Sequence, residues 1–346
     1  PQTSEIAVQI KRGRKAMTTL KGASQERVDE AVTALAWAIY KPENAEELAR
    51  MGVENTGLGN VADKITKNTR KTFGTLRDLM RARTVGVIED DPARGLVKYA
   101  KPVGVVAAIC PSTNPAATPA NKAMMAVKGA NAVIIAASPA GFATTQRYVE
   151  LARAELAKAG FEPDLVQMLE PPVTKQATQT LMELADLIVC TGSQDNVRRA
   201  YSSGTPAIGV GAGNVPVIID ETADLDDAAV KICQSKTFDN ATSCSSENSL
   251  VLLEENYDQA IDALERAGGF LVPAEKHDTI AATLWQDGKL NRHLIARDVA
   301  ILADAFGLGE LPAGTKYLMV EETGIGPDAP LSGEKLSLVL TAEDDQ

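Results

Sequence analysis

Apolar positions recur three and four residues apart through much of residues 4–82, in "EIAVQIKRGRKAMTTL", "SQERVDEAVTALAWAIYK" and "NAEELARMGVENTG". That spacing predicts amphipathic helices, punctuated by Gly22 and Pro42. In "TVGVIEDDPARGLVKYAKP" two strand-like runs flank the turn "EDDPARG", which predicts a hairpin. From residue 103 the rhythm changes. The runs "VGVVAAI", "NAVIIAA", "DLVQML" and "DLIVC" alternate with the helical patterns "ANKAMMAVKGA", "TTQRYVELARAELAKAG", "TKQATQTLMEL" and "QDNVRRAYSS". "PAIGV" and "VPVIID" are read as closing this series. Apolar strands alternating with helices predict a parallel sheet covered on both faces, an α/β fold. In such sheets ligands sit beyond the carboxyl ends of the strands, so the loops "CPSTNPAATP" and "CTGSQD" are the first places to look. After residue 225 the pattern restarts with a helix, then "SLVLLEE" and the helix "YDQAIDALERAGG". A largely helical stretch over 271–315 comes next, and the strands "KYLMVEE" and "LSLVLTAE" come last.

Between the helix "LDDAAVKICQSKTF" and the strand "LVLLEE" lies "FDNATSCSSENS", which sets Cys244 among small polar side chains. A structural thiol prefers apolar company, so this one has the surroundings of a group that is reached from outside. Position alone leaves a structural cysteine open beside a nucleophile, and neither His277 nor His293 is close enough in sequence to form a dyad. Both histidines read as surface residues of a polar helical stretch. Asn114 lies in "PSTNP", where two prolines stiffen the loop. Its amide can donate to a developing oxyanion or merely turn the loop. Thr191, Gly192 and Ser193 join a strand to a helix start, as an anion-binding turn or as a plain connection. "GVGAGNVP", residues 209–216, precedes a strand, so it is not a dinucleotide fingerprint. Its glycines are expected to keep space open near a site.

Composition narrows the classes. The 346 residues suffice for two domains, and 45% hydrophobic with 23% charged residues is ordinary for a globular chain. A net charge of −11 disfavours nucleic acid and anionic membrane as partners. The four cysteines are scattered without a CxxC pair, so neither disulfides nor a metal site are expected. No apolar run approaches a membrane span and no signal peptide opens the sequence, which predicts a soluble protein of a reducing compartment, the cytoplasm.

The ordered motifs "KPVGVVAAICPSTNP", "CTGS", "FDNATSCSSENS" and "GEKLSLVL" resemble the aldehyde dehydrogenase superfamily, and within it the coenzyme-A-acylating branch. The resemblance runs from about residue 5 to about 341. It implies a Rossmann-like NAD(P)-binding domain over 1–225, with a subunit-bridging hairpin at 83–102, and an α/β catalytic domain over 226–346. The branch continues past this point, so the catalytic domain is expected to be C-terminally incomplete. The resemblance places Cys244 on the nucleophile and Asn114 on the oxyanion donor. It places Thr191, Gly192, Ser193, Gly211, Ser138 and Glu334 on the cofactor, Glu334 at the nicotinamide ribose. Gly209 stands where hydrolytic members carry a glutamate base, which implies a thiol rather than water as acyl acceptor. Ala136 and Pro139 fall where those members hold the adenosine ribose, implying NAD or NADP, and Leu338 replaces a usual proline. The implied activity is oxidation of a short aldehyde to its acyl-CoA through a cysteine thioester. "TSCSSENS" and "CPSTNPAATPANKAMM" point to sulfoacetaldehyde, with acetaldehyde or another short aldehyde as rival. A cofactor-free thiol acyltransferase and an inactive fragment are the other readings. The expected partners are the aldehyde, coenzyme A and, with the C-terminal region present, further copies of the chain in a dimer or tetramer.

Overall fold

Successive side chains of a strand face opposite sides, so a strand that is apolar at every position must be covered twice. The computed structural model describes residues 2–211 and 213–344 and shows this arrangement. The chain forms two compact units. One takes Gly57 and the residues before it together with Lys64–Gly211; the other takes Leu58–Asp63 and the residues after Gly211.

Helices α1 (Gln2–Met17), α2 (Gln25–Tyr40), α3 (Pro42–Thr56), α4 (Val61–Thr66) and α5 (Thr72–Met80) occupy the first stretch, with a π-helical turn, Lys67–Lys71, between the last two. Ser24 caps α2 by accepting from Arg27 N at 3.3 Å, and α3 opens on Pro42 and stops at Gly57 in the left-handed region. Strands β1 (Gly86–Asp91) and β2 (Leu96–Ala100) pair as the expected antiparallel hairpin. The alternating series continues as β3 (Val105–Ile109), α6 (Ala117–Lys128), β4 (Ala132–Ala136), α7 (Phe142–Lys158), β5 (Val166–Met168), α8 (Lys175–Leu184), β6 (Leu187–Thr191), α9 (Gln194–Tyr201) and β7 (Ala207–Val210). The strands form one parallel sheet in the order β5-β4-β3-β6-β7. Val106, Ala108, Val133 and Ile135 pack with residues of α2, α6 and α7. Val105, Ala107, Ile109 and Ile134 pack on the opposite face with residues of α1 and α8.

The second unit carries its own parallel sheet. Its elements are β8 (Pro216–Ile219), α10 (Leu225–Thr237), β9 (Ser249–Leu252), α11 (Tyr257–Ala267), β10 (Gly269–Leu271), α12 (His277–Leu284), the ribbon β11 (Trp285–Gln286) with β12 (Lys289–Leu290), α13 (Val299–Ala305), β13 (Tyr317–Glu322) and β14 (Val339–Asp344). The strand order is β10-β13-β14-β9-β8. Two expectations are corrected here. "VPVIID" does not close the first series, because β8 pairs with β9 in register Val217 to Leu250. The compact units divide after Gly211, with β8 in the second. His277 is half-buried, with Nε2 3.1 Å from Glu322 Oε2, whereas His293 is exposed in a turn.

Candidate active site

The topology of the first sheet selects an edge. From β3 the chain steps outward to β4 and β5, then returns to lay β6 on the other side of β3. Such a reversal opens a crevice beyond the carboxyl ends of the two central strands. Ile109 is in register with Ala136 and with Cys190, and Cys190 with Gly209, so the four strands reach that edge together. Asn114 follows β3, Ser138 follows β4, Thr191–Ser193 close β6 and Gly211 follows β7. All the residues expected on the cofactor within this unit, and Asn114 with them, therefore emerge on one edge.

Local contacts shape each loop there. Ser193 caps α9 by accepting from Asn196 N at 3.3 Å, so of the first turn's N–H groups those of Gln194 and Asp195 lie ahead of the helix's own bonds. Ser138 Oγ accepts from Gly141 N at 3.2 Å. A Cβ on Gly141 would lie 2.7 Å from Pro115 Cβ, so this loop rests on the one that carries Asn114. Asn114 is half-buried at the entry to α6, its carbonyl accepting from Thr118 N at 3.2 Å. Lys67 Nζ donates to its Oδ1 at 3.2 Å, and Lys64 Nζ donates to the preceding carbonyl, Thr113 O, at 3.2 Å.

Lys122 is a feature that periodicity did not single out. Buried on α6, it donates to Ile109 O and, at 3.0 Å, to Val189 O, tying β3 to β6 at the reversal. Burial lowers its pKa and raises the thiols of Cys110, to about 11, and Cys190. A lysine eight residues after Asn114 on a helical face was its only sequence signal.

The glycine-rich run corrects an expectation. A Cβ on Gly209 would lie 2.8 Å from Tyr201 Cε2 and from Val197 Cγ1, and one on Gly211 would lie 2.9 Å from Gln194 Nε2. Tyr201 Oη also bonds Gly209 N at 3.0 Å. These glycines let α9 pack closely on β7; the volume beside them is filled rather than held open.

In the second unit, Cys244 is exposed, whereas Cys110, Cys190 and Cys233 are buried. Its turn follows three consecutive residues in the left-handed region, Asp239 (φ 50°), Asn240 (φ 51°) and Ala241 (φ 59°). Each costs on the order of 1–2 kcal/mol in a residue with a Cβ, so neighbours must hold the run in place. Asp239 is fully buried and accepts from Asn60 N at 3.0 Å and from the Thr242 hydroxyl. Its own N–H donates to Asp63 Oδ2 at 2.7 Å, and Asn240 Nδ2 donates to Asp298 Oδ1 at 2.8 Å. The first two positive φ values fall on Asp and Asn, which tolerate them, and no glycine marks the run.

Gly59 faces this carboxylate. Its φ is +70°, and a Cβ there would lie 1.8 Å from Asp239 Oδ1, whereas Gly22, at φ +76°, has open space. Gly22→Ala is expected to cost about 1 kcal/mol, the backbone penalty alone, and Gly59→Ala at least about 2 kcal/mol more. Urea unfolding of the two variants measures the difference. Equal losses would mean that the Asp239 contact carries no weight.

Two buried lysines brace the remainder of the turn. Lys236 Nζ donates to Glu247 O at 2.8 Å. Lys335 Nζ donates to Leu331 O, to Gly333 O at 3.0 Å and to Thr341 Oγ1 at 2.9 Å, while its N–H meets Asn248 Oδ1 at 3.1 Å. Between these anchors lies Glu334, half-buried, its carboxyl pushed up by burial against the opposing hydrogen bond from the Gly213 backbone. Burial also lowers Lys236 from 10.5 to about 7, and lowers Lys335 well below 10.5. Below pH 7 the Lys236 ammonium is present folded and unfolded, and the fold bears the full cost of burying it. As pH rises from about 7 towards 10.5, the folded protein has released this proton while the unfolded chain still holds it, so this contribution to stability rises. Chemical unfolding of Lys236→Met is expected to show higher stability than the parent at pH 6 and a shallower rise between pH 7 and 10. Parallel pH profiles for the two proteins would refute it.

A cavity of about 380 Å³ lies elsewhere in this unit, beyond the ends of β10 and β13. Glu275, His277, Asp278, Glu321 and Glu322 line it, an acidic setting without a thiol and unsuited to an anion. Among the described residues no cluster of His, Cys, Asp and Glu could hold a metal, and no helix is long and apolar enough to cross a membrane.

Known proteins match this chain along nearly its whole length. The family model described as "Aldehyde dehydrogenase family" matches residues 2–281. A Cupriavidus necator protein named sulfoacetaldehyde dehydrogenase (acylating) is 54% identical over 337 residues, 97% of this chain and 68% of that protein. A Bilophila wadsworthia protein of the same name is 44% identical over 343 residues, 97% of this chain and 73% of that protein. The crystal structure of an acetylating aldehyde dehydrogenase from Geobacillus thermoglucosidasius superposes with a TM-score of 0.93 at 35% identity, covering 99% of this chain and 75% of that one. With the family model matched over residues 2–281 and the same fold in a relative, the chain belongs to the aldehyde dehydrogenase family.

Proposed function

We propose that this protein is a coenzyme-A-acylating aldehyde dehydrogenase that oxidises sulfoacetaldehyde to its acyl-CoA with NAD or NADP. The observation that carries the reading is the exposed Cys244 in its braced polar turn, while burial withholds the other three thiols. Cys244 attacks as the thiolate: its sulfur bonds to the aldehyde carbon, and the carbonyl oxygen becomes an oxyanion. The family resemblance assigns the Asn114 amide and the Cys244 backbone N–H as donors to that oxygen. A bound nicotinamide would supply the acceptor for the hydride on that carbon. Cys244 then holds a thioester; the coenzyme A thiol gives its proton to solvent and attacks as thiolate, taking the acyl group as the Cys244–acyl bond breaks, and Cys244 leaves again as thiolate.

The residues at the first sheet's edge fit the dinucleotide. The capped start of α9 suits a pyrophosphate, with Thr191, Gly192, Ser193 and Gly211 beside it, and Glu334 is assigned to the ribose. After β4 the segment Ala137–Ser138–Pro139–Ala140 holds no carboxylate, which tolerates a 2′-phosphate. The hairpin leaves Leu96, Val97 and Tyr99 about half exposed or more, which supports a homo-oligomer, dimer or tetramer. Four thiols outside any disulfide suit the cytoplasm.

Sulfoacetaldehyde as substrate rests on the names of the Cupriavidus and Bilophila relatives. The test compares kcat/KM for sulfoacetaldehyde and acetaldehyde, both with coenzyme A, by the absorbance of reduced cofactor. A higher value for sulfoacetaldehyde is expected. Preference for acetaldehyde would replace the substrate and keep the reaction.

A further inference from the structure

Two lysines near Asn114 are buried where lysines are rarely found. Lys64, on α4, and Lys67, which opens the π-helical turn, are 4% and 2% exposed. Together with Asn68, Asn114 and Pro115 they line a small cavity in the first unit. Its volume, about 10 Å³ as traced by the centre of a water molecule, has room for one water. A sulfonate does not fit there, so the pair is not a substrate headgroup site. Both ammonium groups donate into the Asn114 loop: Lys64 to Thr113 O and Lys67 to Asn114 Oδ1, each at 3.2 Å.

The second of these contacts has a directional consequence. A carboxamide presents an acceptor on one side and a donor on the other, and a free one turns over readily. An ammonium has three N–H groups and no lone pair, so the atom facing Lys67 must be the oxygen. The amide's NH₂ is thereby turned away from Lys67. Its protein contact, Thr113 Oγ1 at 3.5 Å, is at the outer limit of a hydrogen bond and does not compete strongly for it. A charge on the oxygen also polarises the amide and makes its N–H a stronger donor. The π-helical turn is the local device: it departs from the α-helical phase where Lys67 enters the interior, and such turns recur at functional sites.

We propose that Lys67 is a positioning residue for the oxyanion step, fixing the Asn114 amide with its oxygen inward and its donor outward, while Lys64 clamps the preceding carbonyl. The inference rests on the oxyanion role given to Asn114 above, and the experiment separates the two. In the full-length protein, with sulfoacetaldehyde, NAD and coenzyme A, Asn114→Ala is expected to lower kcat about 10²–10³-fold. Lys67→Met should lower kcat about 10–100-fold, with the aldehyde KM and the melting temperature nearly unchanged, and Lys67→Arg should recover a large part of the loss. In the Asn114→Ala background, Lys67→Met should change kcat less than about twofold, because the group it orients is gone. An equal fold-loss in both backgrounds, or no loss in the parent, would overturn the role of Lys67 and leave that of Asn114 standing. Parent-like kcat for Asn114→Ala would overturn the oxyanion assignment and this proposal with it. Should Lys67→Met not fold, Lys67→Gln carries the same cycle.

Discussion

Cys244→Ala abolishes formation of the acyl-enzyme, while alanine at Cys110, Cys190 or Cys233 leaves it intact. The expectation comes from what each thiol must do to become a nucleophile. A thiol attacks as its anion, and an anion is disfavoured wherever water is withheld. Burial pushes Cys110 up to about 11 and raises Cys190 and Cys233, against the weaker pull of Lys122 on the first two. Cys244 alone is exposed, and its turn is held by Asp239, Lys236 and Asn248 rather than by packing of the sulfur. Intact-protein mass spectrometry after aldehyde and NAD, with coenzyme A withheld, reads the result directly. The parent and the three buried-site variants should each gain one acyl mass, and Cys244→Ala none. An acyl group on Cys244→Ala, or its loss in Cys190→Ala, would move the nucleophile elsewhere.

Withholding coenzyme A should reduce turnover to a single burst, at most one reduced cofactor per active site. Hydrolysis of a thioester near neutral pH needs a base to take a proton from water, whereas a thiol with pKa near 8.5 is already partly ionised. The stretch 209–216 offers no ionisable side chain, and Gly209 is packed so tightly on Val197 and Tyr201 that a glutamate there would displace α9. Adding coenzyme A should restore steady turnover and yield an acyl thioester. Stopped-flow absorbance resolves burst from steady phase, and their ratio is the quantity to compare. Continuous cofactor reduction without a thiol, with free acid accumulating, would make water the acceptor.

How far these features were readable depends on the range of the interaction behind them. The first parallel sheet was legible, since β3, β4 and β6 read as unbroken apolar runs between helices, β3 and β4 buried at every position. Cys244 was legible for the opposite reason, a thiol without apolar neighbours in sequence. The sheet to which β8 belongs was not: Pro216–Ile219 reads as a strand, and its pairing with β9 is a long-range choice. Nor was β10, three residues beginning at Gly269, whose strand character comes from alignment with β13. Lys64, Lys67 and Lys122 look like solvated helix positions in sequence, and only the folded chain supplies the carbonyl and amide oxygens that make their burial tolerable. The glycines at 209 and 211 signalled small size correctly, but what crowds them lies on α9.

The support of the Cys244 turn by residues 58–63 has a consequence for how the protein is made. A ribosome delivers the chain from its N-terminus, yet Asp63 and Asn60 meet Asp239 across 176 and 179 positions. At about 5–20 residues per second, that separation is roughly 9–35 s of synthesis during which the segment exists and its partner does not. Asn60 and Asp63 can bond one another at once, Nδ2 to Oδ2 at 2.7 Å and N–H to Oδ1 at 2.9 Å in return. Those two local bonds need no distant partner, whereas the remaining bonds of the segment, from Asn60 N–H to Asp239 and from Asp239 N–H to Asp63 Oδ2, form only once the aspartate has been translated. A fragment begun after Gly211 to obtain the thiol-bearing unit alone would leave Asp239 without those two partners.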